Sequence, residues 1–341
     1  MYVFLGVATV VATYIAAKLI GSIAIFPGQI FANVQDLKNI KFDEGLDVSF
    51  SEEKTKDNRI LQTVKITPPN PLGDVIIIFN GQNATFRNEK KLKTYCQLAK
   101  DTKHTVIGFD YGGTGLKRIT TWSSQALIND GFHLALQVSK TMGKNNALIL
   151  KGNSLGGAIA TKVAKRCHDS KIKAYLWNGR SFKSASAVIA GQIQTLHLSG
   201  HYENTLTKKL SSMTQPIASL LLRLTQFEMN VSEDYKNISS EYKNYYIVRS
   251  NMKQRQVKKD DVMIPHWATL ESDCVIKEDA KKTIVIGNKF APTDIAYFRS
   301  RRKITSESSK MLIQCQKQNY FVEMISMFLR TIFFVSFLKN I

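Results

Sequence analysis

The stretch Ala147-Leu148-Ile149-Leu150-Lys151-Gly152-Asn153-Ser154-Leu155-Gly156-Gly157-Ala158 decides how this chain folds. Its first part is a short apolar run, of the kind that forms a strand buried on both faces. Its second part is a Gly-x-Ser-x-Gly turn that opens into small residues and then a helical pattern reaching Cys167. A serine hydroxyl is a weak nucleophile until a tight turn exposes it, a base stands close and hydrogen-bond donors await the oxyanion. Gly152 and Gly156 remove side chains that would clash where strand and helix pack around a strained residue, and Gly157-Ala158 lets the helix stay near the sheet. The Gly-Lys-Ser/Thr ending of a phosphate-binding loop is missing. Ser154 is therefore the candidate nucleophile of an acyl-transfer site.

Outward from this turn, short β-branched runs alternate with helical stretches. They predict an α/β fold, a mainly parallel sheet with helices on both faces. Strands are expected at Arg59 to Thr67, Asp74 to Phe79, Thr105 to Phe109, Ala147 to Lys151, Ile172 to Trp177, Tyr245 to Arg249 and Lys282 to Gly287. Helices are expected from about Ala84 to Lys100, Ser123 to Met142 and Leu155 to Cys167. From Arg180 to Glu241 no strand pattern occurs, and the leucine-rich run Ile217 to Phe227 reads as helix. Without internal repeats or low-complexity linkers, residues 45–300 form one domain. Residues 180–241 are a helical insertion that would lie over the site as a lid.

From Val75 to Asn288 these motifs resemble the α/β-hydrolase superfamily, in particular its lipase-, esterase- and peptidase-like members. The resemblance implies a second oxyanion donor in Phe79-Asn80-Gly81-Gln82-Asn83, the backbone N–H of Gly81 or Gln82, working with that of Leu155. A simple turn at Asn80-Gly81 is the alternative. Phe109-Asp110-Tyr111-Gly112-Gly113-Thr114-Gly115 is similar to a loop that shapes the pocket wall in the family, which makes Asp110 structural. The segment Asp261-Val262-Met263-Ile264-Pro265 matches the place of the catalytic acid and makes Asp261 the residue that would orient an imidazole. Asp260 could substitute, the basic stretch before it is longer than usual, and surface ion pairing would explain the same two aspartates.

The family's general base follows the last strand. Here that loop is Gly287-Asn288-Lys289-Phe290-Ala291-Pro292, and no histidine occurs after His266. Open α/β sheets build sites at the carboxyl ends of their strands. His104 precedes a strand and His168 ends the helix after the turn, so both should lie at the opposite edge, and His133 should lie on a helix surface. His197 and His201 fall in the insertion. His266, next to the acid segment, is the best surrogate base, with a helix-start histidine as its bland reading. An active hydrolase and a degenerate one that serves as a lipid- or protein-binding effector or scaffold both follow from this pattern. Losing a triad member costs on the order of 10⁴ or more in rate.

Composition sets the surroundings. The formal net charge of +20 over 341 residues favours an anionic neighbour, and without a nucleic-acid motif an acidic lipid surface is preferred to nucleic acid, with a solvated, merely basic surface as the default reading of charge so dispersed. Cys96, Cys167, Cys274 and Cys315 show no paired spacing, which argues against a disulfide framework or a zinc site and suits a reducing compartment. No metal and no cofactor is implied. Residues 1–28 are nearly uncharged and long enough to form a membrane anchor or signal-anchor, and residues 301–341 read as a basic linker and an amphipathic C-terminal helix. The lysine-rich composition is also loosely similar to that of hydrolase-type effectors secreted by intracellular bacteria. The reading is a membrane-associated serine hydrolase acting on an ester, thioester or acyl lipid.

Overall fold

A computed structural model of the chain describes residues 12–19, 21–22, 37, 40, 42–82, 84–114, 121, 123–179, 181–196, 205–248, 264, 268–270 and 284–286. The strands are β1 (Asp47–Lys54), β2 (Ile60–Thr67), β3 (Val75–Phe79), β4 (Thr105–Asp110), β5 (Leu148–Asn153), β6 (Ala174–Gly179), β7 (Lys243–Val248) and β8 (Ile284–Ile286). The helices are α1 (Glu89–Thr102), α2 (Ser124–Thr141), α3 (Leu155–Asp169), α4 (Ala185–Leu196), α5 (Thr205–Leu224) and the short α6 (Ser232–Lys236).

One sheet holds the strands in the order β1-β2-β4-β3-β5-β6-β7-β8. β1 and β2 pair antiparallel, as do β2 and β4, and every pairing from β4 through β8 is parallel. The chain crosses over twice near β3. These crossovers set β3 between β4 and β5 and bring the loop after β3 alongside the turn after β5. β3 and β4 are buried throughout, which is why their sequences show no alternation.

Each face of the sheet carries its own core. Ile77, Phe79, Leu148, Leu150 and Leu176 pack with α2 and α3 on one side. Val64, Ile76, Ile78, Val106 and Ile149 pack with α1 on the other. The helix starts are read by their caps: the Asn88 side chain accepts from Lys91 N–H and that of Ser123 from Ala126 N–H. Cys96 and Cys167 are buried free thiols, whose burial pushes their pKa up to about 11 and about 12. Cys274 and Cys315 lie outside the described residues.

Helices α4 and α5 and the short α6 lie between β6 and β7, and α4 and α5 pack on each other. Residues 12–19 and 21–22 are helical, and the remainder of 1–28 and all of 301–341 lie outside the described residues. Among the described residues no helix is long and apolar enough to cross a membrane.

Candidate active site

Ser154 stands between the last residue of β5 and the first of α3, at φ 58° and ψ −124°. This is a conformation that a residue with a side chain adopts only when its surroundings impose it. Three constraints do so here. The Ser154 N–H donates to the Gly179 carbonyl at the end of β6, 2.8 Å away. The Ser154 carbonyl accepts from Ala158 N–H at 3.1 Å and so opens the helix. Two glycines let strand and helix close on the turn. A Cβ on Gly152 would collide with the Gly156 carbonyl, and one on Gly156 would collide with the carbonyl of Phe79 and stand 2.7 Å from that of Asn80. The closeness of Gly156 to β3 is what draws the Asn80-Gly81 loop up to Ser154.

That loop is fixed. The Asn80 side chain is buried and donates to the Phe109 carbonyl at 3.0 Å, while its oxygen accepts from the Tyr95 hydroxyl at 2.5 Å. The Asn80 carbonyl accepts from the Tyr111 hydroxyl at 3.2 Å. Asn80 is thus clamped, and just after it the Gly81 carbonyl accepts from Ala84 N–H at 3.2 Å, which closes a turn. A Cβ on Gly81 would lie 3.5 Å from the carbonyl of Asn153, the residue before Ser154. Leu155 is the first residue of α3, where backbone N–H groups have no partner within the helix and carry the positive end of its dipole. Ser154 thus stands between the start of α3 and the loop after β3.

Asp110 is buried and accepts from the Thr85 hydroxyl at 2.7 Å and from Phe86 N–H at 3.1 Å. Burial outweighs these bonds and raises its pKa to about 6. It ties the start of α1 to the end of β4, the structural role expected of it. Sequence reading missed a second buried carboxylate, Asp130 of α2. It pairs with Arg59 and accepts from Gly112 N–H at 2.9 Å, and burial raises its pKa also to about 6. Asn178 was missed too. Its amide reaches the Gly157 carbonyl at 3.1 Å and the Thr161 hydroxyl at 2.7 Å, holding α3 against β6. A polar residue in the last turn of a buried strand was the available signal. Lys151, in the strand leading to the turn, lies against Trp177 on the α1 side of the sheet, and desolvation holds its ammonium well below the usual range.

Two described histidines, His104 and His168, lie at the edge of the sheet opposite Ser154. His104 precedes β4, and His168 Nε2 is 2.8 Å from the carbonyl of Ala174, the first residue of β6. Parallel register puts Ala174 beside Leu148 and Gly179 beside Asn153. At about 3.3 Å per residue the length of β5 holds those edges roughly 16 Å apart. His133 is half-buried within α2. His197, His201, Asp260, Asp261 and His266 lie outside the described residues.

Residues close to the last of these are described, and they meet the site. Leu270 N–H donates to Ser181 at 3.1 Å, Thr269 bridges Phe182, and the Ala268 carbonyl accepts from Lys183 N–H at 2.8 Å. Ile264 is buried. The segment thus adds a short antiparallel rung just beyond Gly179, the residue bonded to Ser154. A cavity of about 270 Å³ lies elsewhere, in a polar cleft bounded by Lys162, Arg166, Glu228 and Asp234, and does not include Ser154. Among the described residues no cluster of His, Cys, Asp or Glu could hold a metal ion.

No family profile and no curated protein matches the sequence. The structure is similar to that of an esterase from Pyrococcus furiosus, at 13% identity and a TM-score of 0.47, over 79% of this chain and 92% of that one. It is similar to a carboxyl esterase from the mycorrhizal fungus Tuber melanosporum, at 12% identity and a TM-score of 0.47, over 76% and 80% of the two chains. A thermostable esterase from Pseudomonas putida is similar at 18% identity and a TM-score of 0.38, over 62% and 66%. The assignment rests on the chain's own topology: with its strand order, its serine at the strained β5-to-α3 turn and its clamped loop after β3, the chain has the α/β-hydrolase fold.

Proposed function

We propose that the chain is a serine hydrolase that cleaves an ester, a thioester or an acyl lipid through Ser154. The observation that carries this reading is the serine's backbone, held at positive φ at the carboxyl edge of the sheet by two glycines that admit no side chain. A turn that needed only to reverse the chain would have no use for that strain. In the reaction Ser154 Oγ attacks the acyl carbonyl and passes its proton to a base. The oxyanion is held by Leu155 N–H and by Gly81 or Gln82 N–H. Collapse of the tetrahedral intermediate expels the alcohol or thiol, which takes the proton back, and water then hydrolyses the acyl-enzyme by the same steps.

His266 is the base in this reading and Asp261 its orienting carboxylate. The support is covalent reach. Two residues span at most about 7 Å, which ties His266 to Ala268, and Ala268 belongs to the rung whose Leu270 is bonded to Ser181, two residues past Gly179. The helices α4 and α5 form the lid of this reading, and their leucines favour an apolar acyl chain.

Labelling by a fluorophosphonate and hydrolysis of short p-nitrophenyl esters test the proposal on wild type, Ser154→Ala, Asp261→Asn and His266→Ala. Wild type should label and Ser154→Ala should not. His266→Ala and Asp261→Asn should slow labelling by at least about a hundredfold. A folded wild type that neither labels nor turns over would overturn the catalytic reading and leave the degenerate, binding form. Full labelling of His266→Ala would move the base to His197 or His201.

A further inference from the structure

Helix α5 is apolar on two faces. Ala218, Leu222 and Thr225 are buried on one side. On the other, Met213 is 69% exposed and Ile217, Leu220 and Leu224 are each 59% exposed. Their spacing of four, three and four residues sets them in one line along the helix. The chain's early helix adds to this surface. Lys18 Nζ donates to the Gln226 side chain at 3.0 Å, and Ser22 is buried with its hydroxyl 2.5 Å from the Thr121 carbonyl. Gly21 is close enough to Phe227 that a Cβ there would stand 3.2 Å from its ring. The early helix is thus pinned at the turn where α5 ends, and it leaves Tyr14, Ile15 and Leu19 exposed. Of nine large exposed apolar side chains among the described residues, seven belong to these two helices. Such a concentration marks a surface made to be covered.

We infer that this surface docks on the interface of an anionic lipid bilayer, with α5 and the early helix lying in the plane of the headgroups. Charge selects this occupant. Helix α5 contains no acidic residue, and its exposed Lys209 and Arg223 bracket the apolar line. Residues 1–26 contain no acidic residue either, and the whole chain carries a formal net charge of +20. An apolar line bracketed by basic side chains matches acyl chains beneath anionic headgroups. A second copy of the chain would bring the same basic rim against itself and be repelled. Docking by two helix faces requires no spanning helix, and none occurs among the described residues. The inference stands apart from the catalytic proposal, since it uses neither Ser154 nor its base.

Vesicle flotation of the full chain tests it, with phosphatidylcholine vesicles and with vesicles carrying a third phosphatidylserine. Wild type should float with the anionic vesicles, and added salt should weaken the binding. The double variant Ile217→Asp/Leu220→Asp alters two exposed side chains and should keep the wild-type circular dichroism and melting temperature while its partition falls at least about tenfold. Lys209→Glu/Arg223→Glu should lose the preference for anionic vesicles. Equal flotation of wild type and Ile217→Asp/Leu220→Asp would overturn the role of α5. Failure of wild type to float, or sedimentation as a dimer that the double variant abolishes, would overturn the lipid assignment.

Discussion

The amide of Ser154 donates to the carbonyl of Gly179 at 2.8 Å while the Ser154 backbone holds φ 58° and ψ −124°. The bond pays for part of the strain of that conformation, which for a residue with a side chain is of order 1–3 kcal/mol. Glycine carries no such strain. Ser154→Gly should therefore raise the unfolding free energy by about 1 kcal/mol, after the entropy that glycine adds to the unfolded chain. Ser154→Ala keeps the Cβ and should stay within about 0.5 kcal/mol of wild type. Urea denaturation of the two variants checks the difference. Equal stabilities would show that the turn is unstrained.

The glycines framing the turn should not tolerate a methyl group. In Gly156→Ala the new carbon would strike the carbonyls of Phe79 and Asn80, which are backbone and cannot swing aside. The expected loss exceeds about 4 kcal/mol and should appear as insoluble protein. Gly81→Ala is the contrast, because its Cβ would meet only an ordinary contact of 3.5 Å. Soluble yield and circular dichroism should separate the two.

Asn80 holds the loop that supplies an oxyanion donor in the proposed reaction. Asn80→Ala leaves the Phe109 carbonyl and the Tyr95 hydroxyl without this partner, at a cost of about 1–3 kcal/mol. Because the next residue is Gly81, labelling of Ser154 should slow as well. Tyr95→Phe removes one of these bonds and should give a smaller loss of both stability and labelling rate. Unchanged labelling in Asn80→Ala would separate the loop from the site.

Asp110 should make stability fall as pH rises. Burial lifts its folded pKa to about 6 from the ordinary 3.8, so between those values the folded state holds a proton that the unfolded state has released. Its contribution is most favourable below about pH 4, declines through the interval to about pH 6 and is constant above. Asp130 acts in the same direction. In Asp110→Asn, whose amide oxygen can still accept from Phe86 N–H while its NH2 donates to a rotated Thr85 hydroxyl, that part of the slope should vanish. Melting temperatures of wild type and variant between pH 4 and 7 check this. Parallel curves would place the Asp110 pKa near its unfolded value.

The fold was legible where one physical signal dominated. Val75-Ile76-Ile77-Ile78 has no reading except a strand covered on both faces, and Gly152 and Gly156 around Ser154 match the steric demand that the structure reveals. β1 went unread because Asp47–Lys54 is an outer strand with mainly exposed side chains, whose apolar alternation stops after Val48 and Phe50 and runs into four polar residues. Helix α1 starts at Glu89 and not near Ala84, because Asn88 caps it and residues before it serve the Asp110 and Asn80 loops. The opposite-edge positions of His104 and His168 followed from chain order alone. The pairs that depend on the sheet's crossovers did not. Arg59 with Asp130 joins the end of a hairpin to a helix two strands later, and Asn178 with Thr161 links two neighbouring elements through side chains that no local pattern couples.

The rung between residues 181–183 and 268–270 limits how the segment carrying α4 and α5 can move. Its entry is stitched to the sheet through Ser181 and Lys183, and its exit is stitched beside it, where Val231 N–H donates to Lys183 and Ala185 N–H to Met229. Neither root can act as a hinge without breaking these backbone bonds. Any swing of the two helices must pivot beyond Ala185 on one side and before Met229 on the other, so the jaw would open while its jawbone stayed with the sheet.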